Sequence, residues 1–306
     1  MAKSISIRQG TGSIRHNNRT FHNENVDPSR TRLNIVIVQE PLEEAYHKCF
    51  DGAVERYNEA QRKKHRLTRQ IDDYYKHVFG RDYTDTAVFS TVANNSKKSF
   101  YEVIFQIGCK EDTGVNTPDA ELAKECLIEF VETFQEQNPN FYVFNAVIHM
   151  DESTPHLHIN YIPIGHCKRG LDTQNAMSQA LEEMGYKRGP EAIIQWHEDQ
   201  RERLTAICKS KGIEIKPPAP SRGYSYTVDE YKRFRADTDK LIDEVRQFVT
   251  GVKNDADASL ADRLQARSFE RALDTIDWGP LAGASDTRED KQDRTFFKSG
   301  GTLRRR

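Results

Sequence analysis

The clearest pattern in the chain is a pair of apolar runs on either side of a short polar segment. Residues 141–148 and 159–164 are rich in β-branched and aromatic side chains, which predicts two β-strands. The segment between them contains Asp-Glu-Ser-Thr-Pro, which is typical of a turn. Side chains two positions apart on a strand share a face, so we expect His156 and His158 to project together, with His149 joining them from the neighbouring strand.

The remaining patterns predict a chain of mixed helices and strands. Short alternating or apolar runs predict strands, and apolar residues at helical spacing predict helices. We expect strands at residues 2–8, 33–38 and 99–108. We expect helices at residues 41–78 (one long helix or a helix pair), 117–137, 173–184 and 190–211.

A proline-rich segment divides the chain. Residues 216–226 include stacked prolines, which predict a linker after a first domain at 1–215. Residues 227–278 then read as a helical region of two polar helices. The last segment, 279–306, is basic at its end and low in hydrophobicity, so we expect a poorly ordered tail.

Composition adds a local rather than a global signal. The formal net charge of the 306 residues is −2, yet residues 61–70 contain no acid and the chain ends in three arginines. The basic segment is equally compatible with a solvated helix face and with contact to a DNA backbone. The five cysteines include no CxxC pair, no apolar run reaches the length of a membrane span, and the N-terminus lacks a signal-peptide core. We therefore expect a soluble, cytoplasmic protein with reduced thiols.

The histidine-rich segment has the composition of a metal site. Imidazole nitrogens bind Zn, Mn, Fe, Co, Ni and Cu, and three protein ligands leave coordination positions open for substrate or water. His149, His156 and His158 supply three such groups, and Glu152 lies between them. The alternative is that the histidines are scattered over the surface or the core. Three of them within ten residues, beside a carboxylate, favour a catalytic kind of metal site.

Three motifs together resemble the relaxases of the plasmid mobilisation/recombination (Mob/Pre, or MobV) family of HUH endonucleases. The metal motif of that family is similar to residues 149–158, which contain the histidine–hydrophobic–histidine triplet. The first motif of the family is similar to His16-Asn17-Asn18-Arg19, and the second to residues 25–34. Arg32 departs from the second motif, where a histidine is common. The resemblance covers about residues 1–215.

The resemblance implies both a fold and an activity. The implied fold is of the α+β class, with a central antiparallel sheet flanked by helices, a palm-like core and a helical C-terminal extension. The implied activity is site- and strand-specific nicking and rejoining of DNA at a plasmid or mobile-element transfer origin, through a covalent protein–5′-phosphate intermediate. The divalent metal ion would be held by His149, His156 and His158. The resemblance favours Mn or Mg, whereas three histidines also accept Zn. The implied partners are plasmid DNA and a coupling protein of a conjugation system.

The nucleophile implied by the resemblance is a histidine. Most HUH enzymes use a tyrosine near the N-terminus, but the first tyrosine of this chain, Tyr46, follows both early motifs. His16 occupies the position of the attacking histidine in the MobV variant. Neutral imidazole is a competent nucleophile, and Arg15 and Arg19 should disfavour its charged form. His16 could instead only hydrogen-bond a phosphate, and His22 is its nearest rival.

The other roles are assigned around this pair of sites. Glu152 is expected to take a proton from His16 or to orient a ligand imidazole, with Asp151 a weaker candidate. Arg19 and Arg30 are expected to hold the DNA backbone, and Arg30 is equally expected in a structural salt bridge. Further predicted DNA contacts are Arg15, Asn17, Lys187 and Arg188.

Three other functions are compatible with parts of the pattern. A rolling-circle replication initiator would share the metal chemistry but would need a downstream tyrosine, for which Tyr186 is the nearest candidate. A non-catalytic DNA-binding repressor would use the metal only to stabilise the hairpin. A three-histidine zinc hydrolase would leave the N-terminal histidine motif unexplained.

Overall fold

The computed structural model describes two units of the chain. They comprise residues 1–218 and 219–306. The residues that the structure describes are 2–20, 25–90, 97–218, 228–255 and 258–275. The predicted tail, the greater part of the predicted linker and His22 lie outside the described residues.

The first unit is built on an antiparallel sheet. Its strands are β1 (Ile5–Gln9), β2 (Ile35–Gln39), β3 (Tyr101–Ile107), β4 (Phe141–His149), β5 (His156–His166) and β6 (Thr173–Asn175). They lie in the order β1-β3-β5-β4-β2, and β6 pairs with the far end of β5. The predicted hairpin is confirmed as β4 and β5, and so is the α+β class with helices around an antiparallel sheet.

The helices of the first unit form two groups, one on each face of the sheet. They are α1 (Ile14–Asn17), α2 (Leu42–Lys63), α3 (Tyr74–Phe79), α4 (Lys110–Thr113), α5 (Asp119–Glu132), α6 (Phe134–Gln137), α7 (Met177–Glu183) and α8 (Ala192–Ser210). The predicted region 41–78 is therefore the helix pair α2 and α3. The pair is separated by a break because Asp73 begins a new helix, its side chain accepting a hydrogen bond from the Lys76 amide.

Each face of the sheet has its own apolar core. On one face, the first core joins Phe105 and Leu157 of the sheet to Phe130 of α5 and Trp196 of α8. On the other face, the second core consists mainly of aromatic side chains from α2 and α3, including Phe50 and Tyr75, packed on Phe100, Phe144 and Ile162. The second core covers only part of its face. The uncovered part carries the histidines.

A β-bulge in β4 sets the boundary between the second core and the polar part of that face. The pairing of β4 with β5 shifts register between Val143 and Asn145. As a result, two consecutive residues face the same way: Phe144 packs in the second core and Asn145 pairs with Asn160. From Asn145 onward, alternate residues of β4 point towards the histidine cluster.

The second unit is a pair of helices, as predicted. They are α9 (Val228–Asn254) and α10 (Leu260–Thr275), which contact each other and share an ion pair of 2.9 Å between Lys253 and Glu270. Among the described residues, no helix in either unit is long and apolar enough to cross a membrane.

Three short segments differ from the sequence-based expectation. Residues 173–175, predicted as helix, form β6 because they pair with residues 164–166 at the end of β5. Residues 31–33 form a 3-10 turn, so β2 begins at Ile35 rather than at Leu33. The four-residue helix α1 was not expected, since a single turn has no apolar period to detect.

Asn175 anchors β6 to the helices of the second core. Its side-chain amide is fully buried and donates to the Tyr46 hydroxyl at 2.8 Å and to the carbonyls of Lys98 and Ser99 at 2.9 and 3.1 Å. Its backbone N–H donates to the Tyr74 hydroxyl at 3.0 Å. One amide therefore satisfies buried groups from three separate segments.

We expect Asn175→Ala to lower the free energy of unfolding by about 2 kcal/mol, because buried acceptors lose their donor. Asn140→Ala is the matched control, since its amide bonds Ile164 and Glu183 at a partly exposed position and its loss should stay within about 1 kcal/mol. Urea unfolding of the two variants measures the difference. Equal losses would show that Asn175 is not an anchor.

Candidate metal centre and nucleophile

The register of three strands arranges the polar residues in rows across one face of the sheet. His149 of β4 lies opposite His156 of β5, as expected from the hairpin. The next row on that face contains His158, and the row after it places Asn160 between Asn145 and Glu102. These side chains are all buried, so a polar patch lies within the interior of the protein.

The three predicted metal ligands converge. The ring centroids of His149 and His158 are 4.6 Å apart, those of His156 and His158 are 4.9 Å apart, and those of His149 and His156 are 5.2 Å apart. Each ring donates one N–H to a fixed acceptor: His149 Nε2 to the Asn17 carbonyl, His156 Nδ1 to the Thr154 carbonyl and His158 Nδ1 to Glu102. These bonds set the tautomers and leave the other nitrogen of each ring as the acceptor.

The unused nitrogens fit a metal ion. Among the described residues, His149 Nδ1 and His158 Nε2 are buried and have no hydrogen-bond partner. Burial, together with the neighbouring imidazoles, lowers the pKa of both His149 and His158, so both rings are neutral and can bind a cation. Two overlapping sets have ligand atoms close enough for one ion: His16 with His149 and His158, and Glu152 with His149 and His156.

The backbone at the end of α1 brings His16 to this cluster. The Thr20 amide donates to the Arg15 carbonyl at 3.0 Å and the Arg19 amide to the His16 carbonyl at 3.2 Å, the pattern of a Schellman cap. The His16 ring consequently lies edge-on to His149 and His158, at centroid distances of 5.6 and 5.7 Å. Burial and the charge of Arg19 lower the pKa of His16, although Glu152 and Glu102 oppose this change. At neutral pH its imidazole is uncharged.

Arg19 holds the segment that carries His16 and does not reach towards solvent. Its Nε and Nη2 atoms donate to the two oxygens of Asp151 at 2.9 and 2.7 Å, and Nη2 also donates to Glu152 at 2.7 Å. Nη1 donates to the His16 carbonyl at 2.9 Å. The residue has a φ of 54°, a left-handed conformation that favours glycine, and only 5% of its side chain is exposed. The charged bonds to Asp151 offset that backbone strain.

Asp151 braces the connection between the two ligand strands. Its buried carboxylate accepts from Arg19, from the Thr31 hydroxyl at 2.9 Å and from the Asn34 amide at 2.8 Å. Asn34 in turn accepts from the Met150 amide at 2.7 Å. Burial alone would raise the pKa of Asp151, but these bonds and the charge of Arg19 lower it well below its usual range. The second sequence motif therefore acts as a brace, and Asp151 is a charged anchor rather than a base.

Glu152 is the carboxylate nearest to both parts of the site. Its Oε1 atom lies 3.6 Å from His16 Nε2, 3.8 Å from His149 Nδ1 and 3.9 Å from His156 Nε2. Its Oε2 atom accepts from the Asn25 amide at 2.8 Å. The geometry is compatible with both predicted roles, proton acceptor for His16 and orienter of a ligand ring.

Glu102 is a site residue that the sequence analysis missed. It is fully buried in β3 and accepts three bonds of 2.7 Å, from His158 Nδ1, the Asn17 amide and the Gly12 backbone N–H. Burial raises its pKa, although the bonds from Gly12 and Asn17 act in the opposite direction. A signal was present in the sequence, since Glu102 is the one carboxylate within the otherwise apolar and aromatic strand Tyr101–Ile107.

The glycine-rich loop before α1 wraps this carboxylate. The Gly12 N–H is donated to Glu102, so it is not offered to a phosphate. A Cβ atom on Gly10 would lie 2.0 Å from Oε2 of Glu102. The loop needs glycine because backbone and carboxylate approach each other closely.

The predicted DNA contacts have different surroundings. Arg15 is exposed on α1, next to His16. Asn17 is 1% exposed and donates to Glu102 and Asn160, which disfavours a contact with DNA. Arg30 donates to the Asn116 side chain and the Val115 carbonyl, which gives it a structural partner of a different kind from the predicted salt bridge. Lys187 and Arg188 are exposed in the loop between α7 and α8, helices that cover the face opposite the histidines.

Known proteins with sequence similarity share one description. The family model of the plasmid recombination enzymes (Mob/Pre) matches residues 42–189. Plasmid recombination enzyme type 3 of Mammaliicoccus lentus is 25% identical over 232 residues, which cover 74% of this chain and 43% of that protein. The enzyme of the same description from Staphylococcus aureus is 26% identical with the same coverage. This chain thus spans about two fifths of the length of the curated relatives it matches.

Solved structures with some similarity are of the MobM relaxase domain (MOBV; Mob_Pre) bound to oriT DNA of plasmid pMV158. A Mn-bound crystal structure with a 22-nucleotide DNA at pH 5.5 is 20% identical, with a TM-score of 0.43 over 75% of this chain and 98% of that chain. A second, with a 23-nucleotide DNA at pH 6.5, is also 20% identical, with a TM-score of 0.40 over 76% and 98%.

The sequence matches extend over the residues of the histidine cluster. The segment that the family model matches contains His149, Glu152, His156 and His158, whereas His16 precedes it. The chain belongs to the Mob/Pre family of plasmid recombination enzymes.

Proposed function

We propose that this chain nicks and rejoins one strand of DNA at a plasmid or mobile-element transfer origin, with His16 as the nucleophile and a divalent metal ion held by His149, His156 and His158. One observation carries the proposal: a neutral imidazole on a separate segment lies beside a cluster of imidazoles whose acceptor nitrogens are buried and unsatisfied. The family supports plasmid DNA as the substrate. A coupling protein as a further partner stays a prediction from the resemblance.

The buried histidine nitrogens support the metal assignment. An acceptor nitrogen buried without a partner is unfavourable by about 1–3 kcal/mol, and a metal ion at this point would remove that penalty for two rings at once. When bound, a divalent ion supplies charge that polarises a non-bridging phosphate oxygen, worth several kcal/mol. The protein groups orient the ligands: Asn17, Thr154 and Glu102 fix the three rings.

His16 is well prepared to attack phosphorus. Its lowered pKa keeps a lone pair on one ring nitrogen at neutral pH. The nitrogen attacks the phosphodiester, a nitrogen–phosphorus bond forms, and the bond from phosphorus to the 3′ oxygen breaks. The other ring nitrogen loses its proton, and Glu152, with Oε1 at 3.6 Å from Nε2, is the nearest base to receive it. The leaving 3′ oxygen ends as a hydroxyl, so one proton moves from imidazole to sugar overall.

Rejoining is the reverse of this step. The nitrogen–phosphorus bond retains the energy of the original phosphodiester, so a 3′ hydroxyl can attack it without ATP. Arg19 holds His16 through its carbonyl while Asp151 and Glu152 hold Arg19, which keeps the imidazole in place between the two steps.

The tyrosines do not favour a rolling-circle initiator. Tyr46 is 1% exposed and its hydroxyl donates to the Ser99 carbonyl, so it cannot reach DNA. Tyr186 packs against the first core, on the opposite face of the sheet from the histidines, and donates to Asp199. Neither is positioned as a nucleophile.

We expect His16→Ala to reduce nicking of a supercoiled plasmid carrying the cognate transfer origin to background, while binding of an origin oligonucleotide survives, because only the nucleophile is lost. His22→Ala, in the same segment but outside the motif, should nick normally. Gel separation of supercoiled and open-circular DNA gives the rates. Nicking by His16→Ala would remove it as the nucleophile, and a large loss of metal affinity would make it a ligand instead.

The bond to DNA should be acid-labile. A histidine–phosphate adduct is a phosphoramidate, which hydrolyses in mild acid, whereas a tyrosine phosphodiester survives the same treatment. We expect the covalent complex, trapped on a labelled 5′ end, to disappear from a denaturing gel after brief incubation in acid. An acid-stable band would point to tyrosine.

Replacement of a ligand histidine should weaken metal binding. We expect His158→Ala to lower the affinity for Mn²⁺ by at least about tenfold in calorimetric titration. His166→Ala is the matched control, because it is exposed at the other end of the same strand and bonds Glu183. EDTA should stop nicking by the unmodified protein and excess Mn²⁺ should restore it. Unchanged affinity in His158→Ala would reject the proposed ligand set.

A further inference from the structure

The structure gives internal partners to two cations that the sequence assigned to the DNA backbone. Arg19 uses its Nε, Nη1 and Nη2 atoms on Asp151, Glu152 and the His16 carbonyl. Arg30 uses both of its terminal nitrogens on residues 115 and 116. A phosphodiester at the histidine cluster would therefore need a different cation.

Strand β1 supplies a cation on the correct face. Arg8 lies opposite Ile104 of β3, and Ile104 lies opposite His158 of β5. Facing direction alternates along a strand, and both Ile5 and Ile7 pack with the first core on the other side. The side chain of Arg8 therefore projects from the same face as His158.

The separation suits a long side chain. Two strand spacings place the Cα atoms of Arg8 and His158 about 10 Å apart. An arginine extending across Ile104 brings its guanidinium towards the edge of the histidine cluster, and Arg8 is only half-buried, so it meets both the interior and the solvent. Electrostatics agree with this placement: burial is the main reason that the pKa of His158 is low, and the charge of Arg8 is among the contributing charges.

We propose that Arg8 binds a phosphodiester of the DNA strand next to the scissile position. The inference rests on the proposed function, since it names a substrate-binding group of the same site. A guanidinium presents paired N–H donors that match two phosphate oxygens, and it stays charged at every relevant pH. Arg8 thus takes the role that the sequence analysis gave to Arg19, while Arg19 positions His16 from behind.

The experiment measures how binding of a single-stranded origin oligonucleotide depends on salt. Each phosphate contact with a single strand contributes about 0.7 to the slope of log K against log salt. We expect Arg8→Gln to reduce the magnitude of that slope by about 0.7 and to weaken binding about tenfold at low salt. Arg8→Lys should keep the slope, because the charge remains, and should still nick more slowly because the paired donors are lost. Fluorescence anisotropy measures the slopes.

Two controls separate the possible causes. Arg56→Gln removes an arginine whose partner is Asp172 on the exposed surface, and its slope should equal that of the unmodified protein. Titration of Arg8→Gln with Mn²⁺ alone should give an affinity within about twofold of the unmodified protein, because Arg8 is not a ligand.

The outcomes distinguish this inference from the proposed function. An unchanged slope in Arg8→Gln overturns the Arg8 assignment, and a loss of Mn²⁺ affinity with an unchanged slope shows that Arg8 acts through His158 instead. An unmodified protein that binds the oligonucleotide but never nicks contradicts the proposed function while leaving the slope test valid. An unmodified protein that does not bind DNA contradicts both.

Discussion

The pairing of β4 with β5 is the constraint on which the rest of the site depends. It places His149 opposite His156 and His158 two residues further along the same face. A shift of one residue in this register would turn the side chains of one strand to the opposite face and put histidines into the first core. The apolar side chains of the same strands prevent that shift, because Ile148, Leu157 and Ile159 fill the first core when the histidines are on the other side. Packing on one face thus fixes the chemistry on the other.

Two buried carboxylates connect this hairpin to the segments that precede it in the chain. Glu102 joins His158 to Asn17 and the glycine-rich loop, and Asp151 joins the ligand connection to Arg19 and residues 31–34. Buried charge without partners would be costly, but each of these carboxylates accepts several hydrogen bonds. The segment that carries His16 is therefore held at both ends, by Asn17 to one carboxylate and by Arg19 to the other. This is how a single helical turn, unstable by itself, keeps an imidazole beside the cluster.

The two arginines of the site divide the work of recognition and positioning. Arg19 is buried, strained and saturated with carboxylate partners, so its charge stabilises the protein's own anions. Arg8 is half-buried at the end of a row that contains His158, so its charge acts across the face where DNA is proposed to bind. Sequence proximity to His16 favoured Arg19 for DNA binding. Spatial proximity to the cluster favours Arg8.

The sequence by itself determined the hairpin, the three histidines and most of the helices, because alternation, apolar period and turn composition are local properties. It also supplied the family, through motifs that can be read in order along the chain. Only the tertiary structure decided that Glu102, a lone carboxylate in an apolar strand, belongs to the site, that β6 is a strand, and that Arg19 faces inward. Each of these depends on a partner that is distant in the chain: 56 residues separate Glu102 from His158, and 132 separate Arg19 from Asp151. Contacts of that kind arise from packing and strand register, which no local pattern encodes.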